Sequence, residues 1–278
     1  MPVGTLTKIV PVSAVVPCYN CQDTISRTIQ SVAAQTLVPQ ELILVDDAST
    51  DDSLNVIRSS ALSYPPDWIR IIELTQNKGP GAARNIAWEV AKSPFIAFLD
   101  ADDSWHPRKI EIQYRWMRDN PNVTMTGHLL PWETENAEWP SPAPLNTTRV
   151  TKDQLLFFSP IRTQTIMVRR DEPLRFSEGQ RFSEDHFLLV NMACSGRNIV
   201  LLNLALARIH KANFGAGGLS GKLWSMERDQ LKNYLGLLRK RKIGAPLFSL
   251  AVTWSLVKYL RRATLTRLRH LSQEAKAR

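Results

Sequence analysis

The nine residues 95–103, Phe-Ile-Ala-Phe-Leu-Asp-Ala-Asp-Asp, join a short apolar run to three closely spaced carboxylates. The run at residues 95–99 has the length and composition of a buried strand, and the aspartates follow at its carboxyl end. Crowded carboxylates repel each other, so this turn favours a bound cation such as Mg²⁺ or Mn²⁺, which also binds substrate phosphates. The alternative is a solvated acidic turn in which Asp103 or Ser104 caps the next helix.

Outward from this turn, short apolar runs alternate with helical patterns. Strands are predicted at residues 12–17, 41–45, 69–74 and 95–99, and helices at residues 22–35, 51–62, 80–92 and 107–119. This alternation predicts an α/β fold with a mostly parallel central sheet flanked by helices. Ligands bind such sheets beyond the carboxyl ends of the strands. Because three of these strands end in polar clusters, we expect one binding site along that edge.

The later part of the chain is less regular. Residues 131–148 carry four prolines and predict a long loop, while residues 164–169 and 199–210 predict strands. A helix is predicted at residues 184–193, and a glycine-rich stretch follows at residues 215–221. We therefore predict one α/β domain over residues 1–221 and a C-terminal helical basic tail over residues 222–278.

The charge of the chain is +9, and its tail is rich in Lys and Arg. This balance favours an anionic partner, but neither a zinc-finger spacing nor a basic helix beside a dimerisation heptad is present, so nucleic acid is not expected.

Residues 243–260 are apolar, contain Trp254 and Tyr259, and precede Arg261 and Arg262. They are too short to span a bilayer comfortably. They are predicted either to lie in a membrane interface or to pack as a core helix on the domain.

The location of the protein is predicted from two further features. Three cysteines, an odd and small number, fit a reducing cytosol, and the first residues lack a charged leader followed by an apolar core. Together with the basic tail, these features predict a cytoplasmic protein that is peripheral on the inner face of the cytoplasmic membrane.

Two polar turns follow the first two strands. Residues 17–20, Pro-Cys-Tyr-Asn, lack the glycine fingerprint of dinucleotide-binding folds, so a nucleotide would lie against the backbone and Tyr19. Asp46 and Asp47 end the second strand and can accept hydrogen bonds from a base or ribose. The alternatives are a plain strand-to-helix turn at residues 17–20 and helix capping at residues 49–50.

A fourth segment, residues 77–85, places glycines before a predicted helix. Gly79 and Gly81 allow close backbone approach, and the first turn of a helix presents N–H groups to anions. Arg84 adds a fork of donors suited to phosphate. As a dinucleotide fingerprint this segment fails, because the third glycine is missing and it follows the third strand.

Taken together, these segments resemble the family 2 glycosyltransferases with a GT-A fold. The resemblance rests on P-x-Y-N at residues 17–20, V-D-D-x-S-T-D at 45–51, G-x-x-x-A-R-N at 79–85 and L-D-x-D-D at 99–103. It is strong over residues 12–120 and weaker to about residue 221. It implies a nucleotide-sugar donor site formed by Pro17, Tyr19, Asn20, Asp46, Asp47, Gly79, Arg84 and Asp100. It also implies that Asp102 ligates Mn²⁺ or Mg²⁺.

The resemblance extends to residues 182–186, Phe-Ser-Glu-Asp-His. It implies that Asp185 is the general base that takes the acceptor hydroxyl proton, with inversion at the anomeric carbon. The alternative is that the two acids only open a helix, where they are favoured. His210 can complete the metal site, touch the diphosphate or be structural, and Lys211 can serve the diphosphate equally well.

Processive relatives carry Q-x-x-R-W after the acidic pair, and nothing similar follows Asp185. We therefore expect a metal-dependent, non-processive enzyme that moves one sugar from a nucleoside diphosphate donor, UDP-linked, to a saccharide or polyprenyl-linked acceptor. The pathway expected is cell-surface polysaccharide biosynthesis. The alternatives are a non-catalytic nucleotide-binding scaffold with the same fold, a dehydrogenase, a basic nucleic-acid-binding module, and a redox pair at Cys18 and Cys21.

Overall fold

A computed structural model describes residues 8–130, 144–210 and 223–276, with side chains described as far as residue 267. Its strands are β1 (Ile9–Cys18), β2 (Val38–Asp46), β3 (Ile69–Glu73), β4 (Phe95–Phe98), β5 (Ser104–Trp105), β6 (Met125–Leu129), β7 (Thr147–Arg149), β8 (Met167–Arg169), β9 (Ile199–Ala205) and β10 (Ala207–Arg208). Its helices are α1 (Ile25–Ala33), α2 (Ser53–Ala61), α3 (Pro80–Val90), α4 (Lys109–Asp119), α5 (Lys152–Phe157), α6 (Glu184–Cys194), α7 (Leu223–Arg239) and α8 (Ala245–Lys276), with a 3₁₀ turn at Thr163–Thr165.

Eight strands form one sheet in the order β3-β2-β1-β4-β8-β6-β9-β7. The first four are mutually parallel, and β6 is parallel to β9, so four of the seven pairings within the described sheet are parallel. The predicted α/β fold with a mostly parallel central sheet is confirmed. The strands β5 and β10 pair separately, with Arg208 opposite Ser104. This small sheet continues directly from the acidic turn at residues 100–103.

The core lies on both faces of the large sheet, because side chains alternate along each strand. On β1, Val15 faces one apolar cluster while Ala14 and Val16 face the other. Helices α3 and α6 cover the first face, and α1, α2 and α4 cover the second. Each large apolar side chain buried in this way contributes about 1.5–3 kcal/mol to stability. The rigid sheet therefore fixes where the strand ends, and the loops that follow them, can lie.

The predicted strand at residues 164–169 is only half correct. Its first part is the 3₁₀ turn at Thr163–Thr165, and only Met167–Arg169 is extended. The Trp105 indole donates to the Gln164 carbonyl, and the Gln113 amide donates to the Thr165 carbonyl. These side chains occupy carbonyls that an extended strand would offer to a neighbouring strand, so the chain turns instead.

The predicted single strand at residues 199–210 is broken at Leu206. The Leu206 carbonyl accepts a hydrogen bond from the His106 backbone N–H, which directs the chain from the large sheet to the small one. The predicted loop at residues 131–148 is also corrected in part, since Thr147–Arg149 forms β7 against β9. The rest of that loop lies outside the described residues, as do Lys211 and the glycine-rich stretch 215–221.

The tail forms two helices that pack on the domain. Tyr234 of α7 is 1% exposed and donates its hydroxyl to the Leu156 carbonyl, while Ala251 of α8 is fully buried. Both residues belong to the larger core cluster. The division of the chain at residue 221 stays a prediction, but α7 contributes to the same core as the sheet. Among the described helices, none combines the length and apolar character that crossing a bilayer requires.

Candidate active site

A cavity of about 700 Å³ opens at the carboxyl ends of β1, β2 and β4. Nine of the residues singled out in the sequence line it: Pro17, Tyr19, Asn20, Asp47, Gly79, Arg84, Asp100, Asp102 and Asp185. Asp46 and His210 are described but do not line the cavity, and Lys211 lies outside the described residues. The volume is within the range of small-molecule sites.

The turn after β1 forms one wall of the cavity. Asn20 has a left-handed backbone, with φ of 48°, and its side chain pairs with Thr50: Thr50 N–H donates to Oδ1 at 2.8 Å. Its own N–H donates to Ser49 Oγ at 3.1 Å. Asn20 therefore joins this turn to the one after β2. Tyr19, by contrast, is 49% exposed and presents its ring at the cavity.

The two aspartates at the end of β2 have different environments. The Asp47 carboxylate is buried and accepts the backbone N–H groups of Lys78 at 2.7 Å and Gly79 at 2.8 Å. Charge-assisted bonds of this kind fix the loop that leads into α3. Asp46 is also buried; its Oδ2 accepts the Ser49 N–H at 3.2 Å, whereas its Oδ1 has no hydrogen-bond partner within the structure.

Arg84 is the electrostatic centre of the site. It lies in the first turns of α3, where Gly79, with φ of 89°, and Pro80 open the helix. Its guanidinium donates to Asp100 at 2.7 Å and to Glu184 at 3.0 Å, and its side chain is only 6% exposed. Arg84 thus connects the acidic turn after β4 with the acidic pair at the start of α6.

Three carboxylates, those of Asp100, Glu184 and Asp185, act on this guanidinium, and a fourth, that of Asp102, acts on Asp100. Burial, followed by the charge of Asp185, raises the pKa of Glu184 to about 7, although the ion pair with Arg84 opposes this change. Burial also raises the pKa of Asp100, with further contributions from Asp102 and Asp185. One arginine shared between two carboxylates compensates neither fully, because the pKa values of Asp100 and Glu184 are both raised despite their ion pairs with Arg84.

Asp185 is the second residue of α6 and lines the cavity. Its Oδ1 accepts the His186 backbone N–H at 2.7 Å, and its Oδ2 accepts the Thr163 hydroxyl at 3.1 Å. The residue before the acidic pair, Ser183, adopts a left-handed backbone with φ of 56°, which turns the chain sharply into the helix. Acids in the first turn of a helix are favourable, so the helix-opening role and a role in the cavity coexist.

His186 connects Asp185 to the tail. Its Nε2 lies 2.6 Å from the Leu155 carbonyl, and its Nδ1 lies 3.0 Å from the Gln230 amide nitrogen of α7. A carbonyl only accepts, so Nε2 carries the proton and Nδ1 accepts from Gln230. Burial lowers the pKa of His186, which keeps this ring neutral and preserves both bonds at neutral pH.

The carboxylate oxygens at the acidic turn are suitable ligands for a hard divalent cation. Over the residues that the structure describes, His, Cys, Asp and Glu do not gather into a cluster of three that could hold a metal without other ligands. Mg²⁺ and Mn²⁺ do not require such a cluster, because they bind through one or two carboxylates together with water and substrate phosphates. Asp102 lines the cavity beside Asp100, as this mode requires. His210 follows β10, and its Nε2 lies 2.8 Å from Ser104 Oγ.

A family model described as Glycosyl transferase family 2 matches residues 13–176. The chain belongs to glycosyl transferase family 2. This match covers more than half of the chain and includes all the strand-end motifs of the donor side. The predicted family and enzyme class are thereby confirmed.

Two proteins similar to this family 2 glycosyltransferase are bacterial glycosyltransferases. WfaP of Escherichia coli, a UDP-Glc:alpha-D-GlcNAc-diphosphoundecaprenol beta-1,3-glucosyltransferase, is 43% identical over 108 residues, which are 38% of this chain and 41% of WfaP. TuaG of Bacillus subtilis, a putative teichuronic acid biosynthesis glycosyltransferase, is 27% identical over 260 residues, 92% of this chain and 97% of TuaG. The chain thus matches less than half of WfaP but nearly all of TuaG.

A solved structure supports the GT-A fold. The mannosyltransferase PcManGT from Pyrobaculum calidifontis, in complex with GDP-Man and Mn²⁺, superposes with a TM-score of 0.64 and 16% identity. The superposition covers 98% of this chain and 81% of that one. The predicted GT-A architecture, including the presence of a C-terminal helical region, is confirmed.

Several residues of this glycosyltransferase's cavity were not singled out in the sequence, among them Thr163 in the 3₁₀ turn and Met226 on α7, with Asp23, Thr24 and Arg181. A threonine in an irregular segment and a methionine on an amphipathic helix carry no local pattern that marks them. Only the packing of distant segments brings them to the site.

Proposed function

We propose that this glycosyltransferase transfers one sugar, with inversion, from a UDP-sugar to a polyprenyl-diphosphate-linked saccharide at a membrane surface. One observation carries the proposal: a single cavity contains the acidic turn after β4 and, across Arg84, the carboxylate of Asp185. A leaving diphosphate and a base on the opposite side of the sugar are the two requirements of a single displacement.

The donor nucleoside would lie between the turns that follow β1 and β2. The exposed ring of Tyr19 offers a surface for the base. Asp46 does not line the cavity, so its buried Oδ1, which has no hydrogen-bond partner among the described residues, would contact the nucleoside only after a shift of the turn that follows β2. A buried acceptor left without a hydrogen bond is costly, so a ligand N–H or hydroxyl at this position would be favourable. Asp47 and Asn20 act on the shape of these turns rather than on the donor. The UDP-Glc in the name of WfaP favours uridine as the nucleoside.

Asp102 would hold Mn²⁺ or Mg²⁺, with Asp100 beside it and His210 close to the same turn. When bound, the metal neutralises the charge that develops on the departing diphosphate. Arg84 is already paired with Asp100 and Glu184, so it maintains the position of the acidic turn rather than binding phosphate. The repulsion that Asp102 and Asp185 exert on Asp100 supports cation binding, because a cation would relieve it.

Asp185 rather than Glu184 is the base. Glu184 is buried, directed at Arg84 and, with a pKa of about 7, partly protonated at neutral pH. Asp185 lines the cavity and its two hydrogen bonds come from an amide and a hydroxyl, which leave lone pairs for an acceptor hydroxyl. It would take the proton of that hydroxyl as the oxygen attacks the anomeric carbon.

An exposed apolar face on α8 would contact the membrane. Leu250, Trp254, Val257 and Leu260 are 47–61% exposed, at spacings of three and four residues that keep them near one side of the helix. Lys258, Arg261 and Arg262 lie among them. Phe158 is 72% exposed. The backbone carbonyl of the preceding residue, Phe157, accepts hydrogen bonds from the Trp254 indole and the Lys258 ammonium. Apolar and aromatic residues flanked by cations suit an anionic lipid surface.

The experiment for the enzyme function is a donor panel. The purified protein is incubated with Mn²⁺, a set of nucleotide sugars and a polyprenyl-diphosphate-linked N-acetylhexosamine, and nucleoside diphosphate release and product mass are measured. We expect release with a UDP-sugar, its loss in Asp102→Ala, and normal release in Asp171→Asn, an exposed acid in the turn after β8. Donor binding without turnover for every donor and acceptor would favour the scaffold alternative.

The experiment for the membrane contact is vesicle sedimentation. The variant Trp254→Ser/Val257→Ser/Leu260→Ser is compared with Leu62→Ser, which changes an 83% exposed leucine after α2. We expect the triple variant, but not Leu62→Ser, to lose binding to vesicles containing phosphatidylglycerol. Equal binding by all three proteins would contradict the contact. Deleting the tail is a poorer test, because Ile243 and Ala251 are buried in the core.

A further inference from the structure

Thr163, in the 3₁₀ turn, holds the carboxylate of Asp185. Its hydroxyl donates to Asp185 Oδ2 at 3.1 Å, and the residue is only 5% exposed although it lines the cavity. The other oxygen of Asp185 is held by the next residue of its own helix. Thr163 is therefore the contact that fixes Asp185 relative to the rest of the cavity rather than relative to α6.

The segment that carries Thr163 is itself anchored at each following residue. The Trp105 indole donates to the Gln164 carbonyl at 2.9 Å, and the Gln113 amide donates to the Thr165 carbonyl at 3.0 Å. The Ile166 carbonyl accepts the Phe98 backbone N–H of β4 at 3.2 Å. Three anchors from separate elements leave the 3₁₀ turn little freedom, so the Thr163 hydroxyl occupies a defined position.

One of these anchors begins at the acidic turn. Trp105 belongs to β5, which follows residues 100–103 directly, and β5 pairs with β10, which leads to His210. Trp105 is 2% exposed, and the ammonium of Lys109 lies 3.8 Å from its ring centroid. A side chain packed in this way cannot move independently of the turn. The path from the turn to the base is thus short: Trp105, Gln164, Thr163 and Asp185.

We propose that Thr163 is a positioning residue for the catalytic base, and that the Trp105–Gln164 hydrogen bond sets the distance between that base and the metal-binding turn. This inference rests on the proposed function, in which the leaving diphosphate lies at the turn and the acceptor hydroxyl lies at Asp185. In a single displacement the leaving group and the base act on opposite sides of one carbon. A framework that joins them through buried hydrogen bonds keeps that alignment during transfer.

The test compares substitutions at Thr163 with a matched substitution in the same turn. Thr163→Val removes the hydroxyl with little change in volume, and we expect kcat to fall about tenfold to a hundredfold, the loss of one hydrogen bond to a charged group. The donor KM is expected to change less than about twofold, because Thr163 contacts the base and not the donor turns. Thr163→Ser restores the hydroxyl and should recover most of kcat.

The control is Thr165→Val, whose hydroxyl donates to the Arg162 carbonyl and not to Asp185. We expect it to lower thermal stability while leaving kcat within about threefold of the parent. Trp105→Phe, which lacks the indole donor, should lower kcat by an intermediate factor. Should Thr163→Val fail to fold, Thr163→Ala provides the same comparison with a smaller side chain. An unchanged kcat in Thr163→Val or Thr163→Ala, or no recovery in Thr163→Ser, would overturn the inference.

Asp185→Asn, measured in the same assay, distinguishes this inference from the proposed function. If Asp185→Asn keeps its transfer rate, the base itself is wrong and the proposed function fails. If Asp185→Asn is inactive while Thr163→Val transfers at the parent rate, only the positioning role fails. Loss of kcat in both, with donor KM preserved, supports both statements.

Discussion

The cavity has two halves, which we call the donor half and the acceptor half after the roles proposed for them, and they are built in different ways. The donor half comes from one continuous stretch, residues 17–102, in which each turn follows a strand of the parallel sheet. The acceptor half is assembled from Thr163, the acidic pair at the start of α6 and Met226 of α7, which are far apart in sequence. The donor half therefore depends on local chain geometry, whereas the acceptor half depends on packing between elements that are distant in sequence.

The hydrogen bonds of the two halves differ accordingly. In the donor half, Asp47 fixes a neighbouring loop through its backbone N–H groups. In the acceptor half, α7 contacts the start of α6 through one side-chain pair, Gln230 with His186, and through a bond from the Asn233 amide to the Ser183 backbone carbonyl at 3.0 Å. Backbone-directed bonds tolerate many sequences, whereas side-chain pairs are specific to one. The donor half is thus fixed by bonds within one stretch of the chain, and the acceptor half by bonds between segments that are distant in sequence.

The largest effect is expected from Asp185→Asn, which alters the acceptor half alone. Without a base, kcat should fall about a hundredfold to ten-thousandfold. UDP affinity, measured by calorimetry with Mn²⁺ present, should match that of the parent, because the donor turns are untouched. Asp171→Asn is the matched control. A loss of UDP affinity equal to the loss of kcat would show that the acidic pair belongs to the donor half, and the comparison would fail.

The next largest effect is a dependence of folding stability on pH, caused by Glu184, which contacts Arg84 at the boundary between the halves. A carboxyl whose pKa is raised on folding stabilises the folded state below its unfolded pKa, and this stabilisation is lost as pH rises through the folded pKa. For Glu184, with a folded pKa of about 7, the loss occurs between about pH 4.5 and pH 8 and is on the order of 3 kcal/mol.

Glu184→Gln isolates this contribution, because Gln cannot ionise. The free energy of unfolding of the parent minus that of Glu184→Gln should decrease from pH 5 to pH 8, as measured by urea denaturation without metal. Titrating groups that do not interact with Glu184 cancel in the difference. A difference that is constant or increases with pH would mean that Arg84 neutralises Glu184 fully.

A smaller effect is expected from Gly81→Ala, which crowds the contact between the halves. A Cβ on Gly81 would lie 2.9 Å from Glu184 Cγ and 3.3 Å from Phe176 Cβ. We expect a loss of about 1–3 kcal/mol of stability from this overpacking, together with a lower kcat as Glu184 is displaced from Arg84. Parent-like stability and kcat would show that α6 can move away from α3 without consequence.

The smallest effect is the same substitution within the acceptor half, Gly236→Ala on α7. A Cβ there would lie 4.0 Å from Phe187 Cε2, an ordinary contact, and the glycine is in the interior of a helix. We expect a gain of about 0.5–1 kcal/mol in the free energy of unfolding, since alanine favours the helix. A loss of stability instead would indicate that α7 packs more closely on α6 than the structure shows.

The regular part of the fold could be predicted from sequence because its signals are local. The runs that predict β1 to β4 and α1 to α4 lie within a few residues of the observed elements. The strands β6 and β7 and the helix α5 were not predicted, because short segments of mixed composition lack a clear period. The 3₁₀ turn could not be predicted at all, since Trp105 and Gln113 determine it from other elements.

The candidate site, like the fold, could be predicted from the sequence only in part. The strand-end motifs identified eight of the residues that line the cavity, because parallel strands bring their carboxyl ends together, and the acidic pair before α6 identified a ninth, Asp185. Which atoms face the ligand could not be read from them: Asn20 and Asp47 are engaged in holding loops. Nor did the sequence reveal that Arg84 is shared between Asp100 and Glu184, or that one face of α8 is buried while another stays exposed.

The most direct test of the central claim is a crystal structure of the protein with UDP and Mn²⁺. We expect anomalous density for Mn²⁺ at the turn of residues 100–103, coordinated by the carboxylate of Asp102 and by the diphosphate. Asp185, still held by Thr163, should face the open side of the same cavity. Mn²⁺ and diphosphate bound elsewhere, with the carboxylate of Asp102 directed into bulk water, would contradict the account.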